Sequence, residues 1–308
     1  MDKNTINNKS TTLITAIYGY GPDSVYGGRG RNIYFYNSVL RAIALMDLPI
    51  IIYANQDSIE NIEHYVKSYL TNYKIIPYEL NEFIYSEEIL KQKEENREHL
   101  GLNDRNHILC YNKLYWLNDA ADKNYFNTEK FLWIDCGLFH HGIIPERVGG
   151  VELSPNILPN IYYPEHEGSI FNPTLGLKID KIIEPDKILA CAHPAMGDLD
   201  TLIRITREVL GVPVPYVGHH VVGGMFGGYK DTIKRFLKEF EKLLIYSINH
   251  KHLYLEEPLF SCVAAAMPEM FNLQHFYYWY YYSPGERCSY MAEDGDSFYK
   301  IFTRIYNS

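Results

Sequence analysis

Phe131-Leu132-Trp133-Ile134-Asp135-Cys136-Gly137 is an apolar run that stops abruptly at a carboxylate. Four consecutive apolar residues with two aromatics and a β-branched member read as a buried strand. Asp135 then falls at the strand's carboxyl end. Upstream, the same grammar recurs. Leu13 to Tyr18 and Ile50 to Tyr53 are short apolar runs, and Lys74 to Tyr78 is a third strand-like segment. Between them lie segments of helical period. One starts at Asn32 as a capping residue and carries Ile33, Tyr36, Val39, Leu40 and Ile43 on one face, with Pro49 beyond it. Ser58 to Leu70 is another, and Tyr111 to Asp122 a third, with Tyr111, Leu114, Tyr115, Leu117 and Ala121 as its stripe. Strands alternating with helices predict an α/β fold, a mostly parallel sheet covered on both faces. Such sheets bind ligands outside the carboxyl ends of their strands, so the positions after Tyr18, Tyr53 and Ile134 are the ones to inspect.

Further along, Glu87 to His99 is charge-rich and reads as a solvated helix or a loop. Gly142 to Pro185 is rich in Pro, Gly and Asn and reads as a loop-like insertion. Ile188 to Ala192 is strand-like, and Leu199 to Leu210 is a helix closed by Gly211. His220 to Phe226 is a strand. A helix capped by Asp231 runs to about Ser247, and another has Pro258 in its first turn and extends through Met267. Gln274 to Tyr282 is a strand-like run that is nearly all aromatic. No repeat and no linker interrupts the 308 residues, so one domain with loop insertions is expected.

Composition narrows the class. The net charge of -9 argues against a nucleic-acid binder and against a basic membrane-surface protein. No stretch has the length and apolarity of a membrane span, and Met1 to Thr12 lacks the apolar core of a signal peptide. The five cysteines, Cys110, Cys136, Cys191, Cys262 and Cys288, are odd in number and form no C-x-x-C pair, so reduced thiols in a cytoplasmic setting are expected. The 28 tyrosines suit either half-wet grooves or ordinary packing, since a phenol joins an apolar ring to a polar tip.

Four constellations carry candidate chemistry. Tyr18-Gly19 through Arg29-Gly30-Arg31-Asn32 sets glycines and two guanidinium forks beside a helix start, a pattern suited to a diphosphate. It is also what a solvated surface loop looks like. Asp135, with Cys136 and Gly137 after it, could meet a metal or a ribose, or cap the next turn. His219-His220-Val221-Val222-Gly223-Gly224-Met225-Phe226-Gly227-Gly228 is a strand whose glycines leave room against the backbone. Its histidines could bind metal, donate to a hydroxyl or simply pack. Glu256-Glu257-Pro258 places two carboxylates at a helix start, where the helix dipole alone would favour them. Two acids there also suit a reaction that builds positive charge at carbon. His64, His107 and His193 have no partner pattern, and His140-His141 follows Asp135 closely.

Taken in order, Thr15-Ala16-Ile17-Tyr18, the Gly-Arg-Gly-Arg run to Arg31, Tyr111-Asn112-Lys113-Leu114 and Trp133 to Gly137 resemble the bacterial WlaTC/HtrL (YibB-like) family of glycosyltransferases from surface-polysaccharide loci. Gly223-Gly224-Met225-Phe226-Gly227-Gly228 followed by Glu256-Glu257-Pro258 is more distantly similar to the retaining transferases of the blood-group A and B type. These resemblances imply a GT-A-like fold, with a nucleotide-sugar-binding half over about 1–140 and an acceptor-binding and catalytic half over about 141–308. They imply transfer of a sugar from a nucleoside-diphosphate sugar, a UDP-sugar by expectation, to a glycan acceptor in lipopolysaccharide or capsule synthesis. In that scheme Tyr18, Arg29, Arg31, Lys113, Asp135 and Gly137 hold the donor. His219, His220, Gly223 and Gly224 line the sugar, and Glu257 is the catalytic carboxylate with Glu256 assisting. The second resemblance favours retention of configuration. GT-A enzymes hold Mn²⁺ or Mg²⁺ with Asp-x-Asp, and Asp135-Cys136-Gly137 lacks the second acid. Either Asp135 and the diphosphate together hold a divalent ion, or the arginines take its place. A lipid-linked acceptor would bring the chain to a membrane face. A sugar-nucleotide nucleotidyltransferase and a non-catalytic carbohydrate-binding protein are the alternatives, the latter suited by Tyr277 to Tyr282.

Overall fold

The computed structural model describes residues 10–18, 33–95, 104–136, 171–194, 199–214, 217–251, 253–275, 279–281, 289–291 and 297–308. Seven strands form one sheet in the order β3-β2-β1-β4-β6-β5-β7. They are β1 (Thr11–Ile17), β2 (Ile50–Ala54), β3 (Tyr73–Pro77), β4 (Lys130–Ile134), β5 (Ile188–Pro194), β6 (His219–Tyr229) and β7 (Phe271–His275). The pairs β1/β2, β2/β3, β1/β4 and β5/β7 are parallel, while β6 runs antiparallel to both β4 and β5. The mostly parallel α/β sheet is therefore as the alternation implies, with one reversed strand that periodicity does not reveal.

Period-2 alternation builds a core on each side. Ile14, Ile51, Tyr53, Phe131 and Trp133 point to one face, and Leu13, Ile17, Ile50, Ile52, Leu132 and Ile134 to the other. The first face is covered by α3 (Ser86–Glu95), α4 (Asp104–Lys123), α6 (Leu199–Leu210), α7 (Lys230–Asn249) and α8 (Glu256–Ala266). The second is covered by α1 (Ile33–Ala44), α2 (Gln56–Val66), α5 (Pro173–Ile182) and α9 (Ser297–Asn307). Among the described residues, no helix is long and apolar enough to cross a membrane.

Several local expectations need correction. The Gly142 to Pro185 segment is not loop throughout, because α5 occupies its end. Asn172 caps that helix, accepting from Thr174 N at 2.9 Å and Leu175 N at 3.3 Å, and Leu175 and Ile179 are buried beneath it. Asp231 does not cap α7. Tyr229 holds the cap position and Asp231 lies inside the first turn, where its charge still meets the helix dipole. Of the two readings of Glu87 to His99, the described part, to Glu95, is the helix, and Ile89 anchors it in the core. Of the aromatic run, Gln274 and His275 end β7 and Trp279–Tyr281 form β8, which pairs with β9 (Ser289–Met291) in a separate two-stranded sheet; residues 276–278 and 282 lie outside the described ones.

Gly227 shows how tightly the reversed strand is seated. A Cβ on it would lie 2.1 Å from Phe131 O and 2.7 Å from Leu132 Cα, both backbone atoms of β4. We predict that Gly227→Ala lowers stability by about 1–3 kcal/mol. The drop should read as a lower urea midpoint at unchanged slope. Leu177→Ala, at a side chain on the protein surface, should leave the midpoint in place.

Candidate active site

Because β6 is reversed, its first residues lie at the same edge as the carboxyl ends of β4 and β5. Ile134 pairs with Met225, and His193 with His220. Between β5 and β6 the register jumps. Ala190 pairs with Phe226 and Cys191 with Val222, so Gly223, Gly224 and Met225 have no β5 partner. A bulge of this kind leaves backbone groups to be satisfied by something other than the ladder. On the β4 side, Asp135 N donates to Gly224 O at 2.8 Å. Side chains from the helices take the Gly223 groups. Gly223 N donates to Glu257 Oε1 at 2.9 Å, and Gly223 O accepts from Lys113 Nζ at 3.3 Å.

α4 and α8 supply those side chains, and they lie on the same face of the sheet. Lys113 Nζ is 2.8 Å from Glu256 Oε1 and 3.1 Å from Asp135 Oδ2. Its three N–H groups thus have three acceptors, two carboxylates and one carbonyl. Burial works against the ammonium, but Glu256 and Asp135 outweigh it and hold Lys113 well above the ordinary lysine value. Glu256 is nearly fully buried. A Cβ on residue 223 would come within 2.5 Å of Glu256 Oε1, so only glycine lets that carboxylate reach the lysine.

Glu257, the next residue, turns to His220. Its Oε2 is 3.1 Å from His220 Nε2, while its own carbonyl accepts from Ser261 Oγ at 2.7 Å. Ser261 Oγ in turn accepts from Val221 N at 2.9 Å, tying α8 to β6. Burial would raise the Glu257 carboxyl, but His220, Lys113 and the Gly223 N–H together bring it below its ordinary value. The His193 ring stacks on His220 with centroids 4.6 Å apart. Cys110, on α4, is pushed well above the ordinary thiol value by burial and by Glu256.

The structure thus brings together Lys113, Asp135, His220, Gly223, Gly224, Glu256 and Glu257. His219 is adjacent in sequence, and its ring lies 4.7 Å from that of His275 at the end of β7. Tyr18 lies in an aromatic layer. It stacks on Trp116 at 5.4 Å, meets Phe83 edge-on and donates its hydroxyl to Tyr78 O at 2.8 Å. Arg29, Arg31, Gly137, His140 and His141 lie outside the described residues. Sequence reasoning missed Ser261 and His193. For His193 a signal existed, since it follows the apolar run of β5 at the carboxyl edge. Ser261 had none beyond its place one turn after Glu257.

The described residues do not by themselves make a metal centre. Asp135 Oδ2 and Glu256 Oε1 both face the Lys113 ammonium, and among the described residues no group of three His, Cys, Asp or Glu is arranged to hold an ion.

No family model matches the chain, and no curated protein matches it in sequence. Solved structures do. The chain is similar to mouse xyloside xylosyltransferase 1 in its apo form, at 11% identity and a TM-score of 0.39, over 86% of this chain and 84% of that one. It is also similar to the 4-diphosphocytidyl-2C-methyl-D-erythritol synthase of Anaerococcus prevotii, at 11% identity and a TM-score of 0.41, over 88% of each chain. Both likenesses are distant.

The Glu257 contacts carry a pH dependence of definite sign. Its folded value lies below the ordinary 4.5. Its stabilising contribution is therefore complete above that value and is lost as pH falls through the lower folded one. We predict that the wild-type urea midpoint drops as pH falls below the ordinary carboxylate value. In Glu257→Gln, this part of the drop should be smaller.

Proposed function

We propose that the chain is a glycosyltransferase that moves a sugar from a nucleoside-diphosphate donor to a glycan acceptor. The observation that carries the reading is the cluster at the carboxyl edge, where Asp135, Glu256 and Glu257 gather around the Gly223 backbone with Lys113 as the facing cation. Three carboxylates against one ammonium leave the cluster acidic. That suits a sugar carbon that becomes positive as its bond to the leaving group lengthens. Such a cluster repels a diphosphate, so the donor's phosphates require positive charge from elsewhere. Arg29 and Arg31 are the residues proposed for it, with Tyr18 and Gly137 beside the nucleotide. A divalent ion on Asp135 and the diphosphate is the other source.

Gly223, Gly224, His219 and His220 line the sugar in this reading. Glu257 faces the reacting centre, and Glu256 assists by fixing Lys113. The short motif resemblances support a UDP-sugar and a role in surface-polysaccharide synthesis. The odd number of cysteines and the lack of a C-x-x-C pair support a reducing, cytoplasmic setting, at the membrane face if the acceptor is lipid-linked.

A thermal-shift series with UDP, GDP and CMP, each in EDTA and in Mn²⁺, tests the donor. A ligand that binds only the folded state raises its stability, by about 2.7 kcal/mol at a hundredfold excess over Kd. UDP should raise the melting temperature more than GDP or CMP. A UDP shift that persists in EDTA assigns the phosphates to the arginines, and one that needs Mn²⁺ assigns them to an ion on Asp135. No shift with any nucleotide contradicts the proposal. Pyrophosphate release from a sugar phosphate and a nucleoside triphosphate would mark a nucleotidyltransferase instead.

A further inference from the structure

We propose that His220 is the base that takes the proton from the incoming hydroxyl, with Glu257 as the carboxylate that orients it, so that transfer inverts the anomeric carbon. The inference rests on the glycosyl-transfer reading and assigns the work within it.

Both oxygens of Glu257 are engaged, Oε1 by Gly223 N at 2.9 Å and Oε2 by His220 Nε2 at 3.1 Å. Those contacts hold the carboxylate against the imidazole. An ionised carboxylate only accepts, so the contact with Oε2 places the imidazole proton on Nε2. The lone pair then lies on Nδ1, and that is the basic atom. The arrangement has the logic of a carboxylate that fixes a histidine tautomer and stabilises the imidazolium that forms. Glu257 is itself fixed by the Gly223 N–H, and its α8 turn is held to β6 through Ser261 and Val221.

The groups facing His220 are Glu257 from α8 and His193 from β5, with Lys113, Glu256 and Asp135 in the adjoining cluster. His193 is buried and stacks on the ring. Of the two stacked rings, His220 is the more exposed and is the one that meets the acceptor. In the step, the acceptor oxygen bonds to the anomeric carbon as its O–H proton passes to Nδ1. The carbon–oxygen bond to the diphosphate breaks, and its electron pair leaves with the nucleoside diphosphate. Attack on the side opposite the leaving group inverts the carbon. This departs from the retention that the blood-group resemblance favours.

The test uses the full chain with UDP-glucose, UDP-galactose and UDP-N-acetylglucosamine as probes and water as acceptor. The released sugar is observed by proton NMR before it mutarotates. The α-linked donors should release the β-anomer, and turnover should fall on the acid side as His220 becomes protonated. His220→Gln should lower turnover by roughly 10²- to 10⁴-fold and abolish that acid limb, while the UDP-induced thermal shift persists. Glu257→Gln should lower turnover as well, because an amide N–H facing Nε2 moves the ring proton to Nδ1. Release of the α-anomer overturns the inference, as does an unchanged acid limb in His220→Gln. Either result leaves the transferase reading standing if UDP still binds. Absence of both a UDP shift and turnover overturns the donor reading and this inference with it.

Discussion

Lys113 reaches from α4 across the sheet edge to Glu256 on α8, Asp135 after β4 and the Gly223 carbonyl of β6. Two of those partners are unfavourable without it. Glu256 is a nearly fully buried carboxylate, and a buried charge left unpaired is strongly destabilising. Gly223 lies where the β5–β6 ladder is interrupted, so its carbonyl has no strand partner on that side. One ammonium answers both demands and, in doing so, sets the spacing between two helices and two strands. Its three donors are spent on this task. Lys113 is therefore better described as the group that organises the acidic cluster than as a free cation waiting for a phosphate.

The bulge in β6 gives this interaction its purpose. An uninterrupted ladder would have hidden the Gly223 N–H and carbonyl. The register jump instead offers them to Glu257 and Lys113, and glycine at that position makes room for Glu256. Adjacent residues of one helix turn thereby acquire different surroundings. Glu256 is sunk against the lysine, while Glu257 faces His220 and is held charged below the ordinary carboxylate range. That division of labour, one acid structural and one poised at an imidazole, is the chemical content of the site.

Much of this was legible in the sequence, for particular reasons. Phe131 to Asp135 announces a buried strand with a carboxylate at its carboxyl end, and parallel sheets gather ligands there. The Glu256-Glu257-Pro258 start of α8 and the glycines of β6 carry strong local signals, and the structure brings these groups together with Lys113. The direction of β6 was not legible, because apolar alternation is the same read either way along a strand. Nor was the bulge, which depends on the register against β5 and not on local composition. α5 was hidden by the Pro and Asn content around it, although Asn172-Pro173 is itself a helix start. Tyr18 was marked as a ligand contact from its position after β1. Its ring stacks on Trp116 and its hydroxyl donates to Tyr78, contacts that a single residue's position cannot disclose.

If the Lys113–Glu256 pair organises the site, their contributions to stability must be coupled. A double-mutant cycle of Lys113→Met and Glu256→Gln, followed by urea unfolding, measures that coupling directly. Each single change should be destabilising, Lys113→Met more so because it strands a buried carboxylate. The double variant should be more stable than the sum of the two losses implies, by more than about 1 kcal/mol. Losses that simply add would contradict the account, since they would mean that the ammonium and the buried carboxylate do not depend on one another.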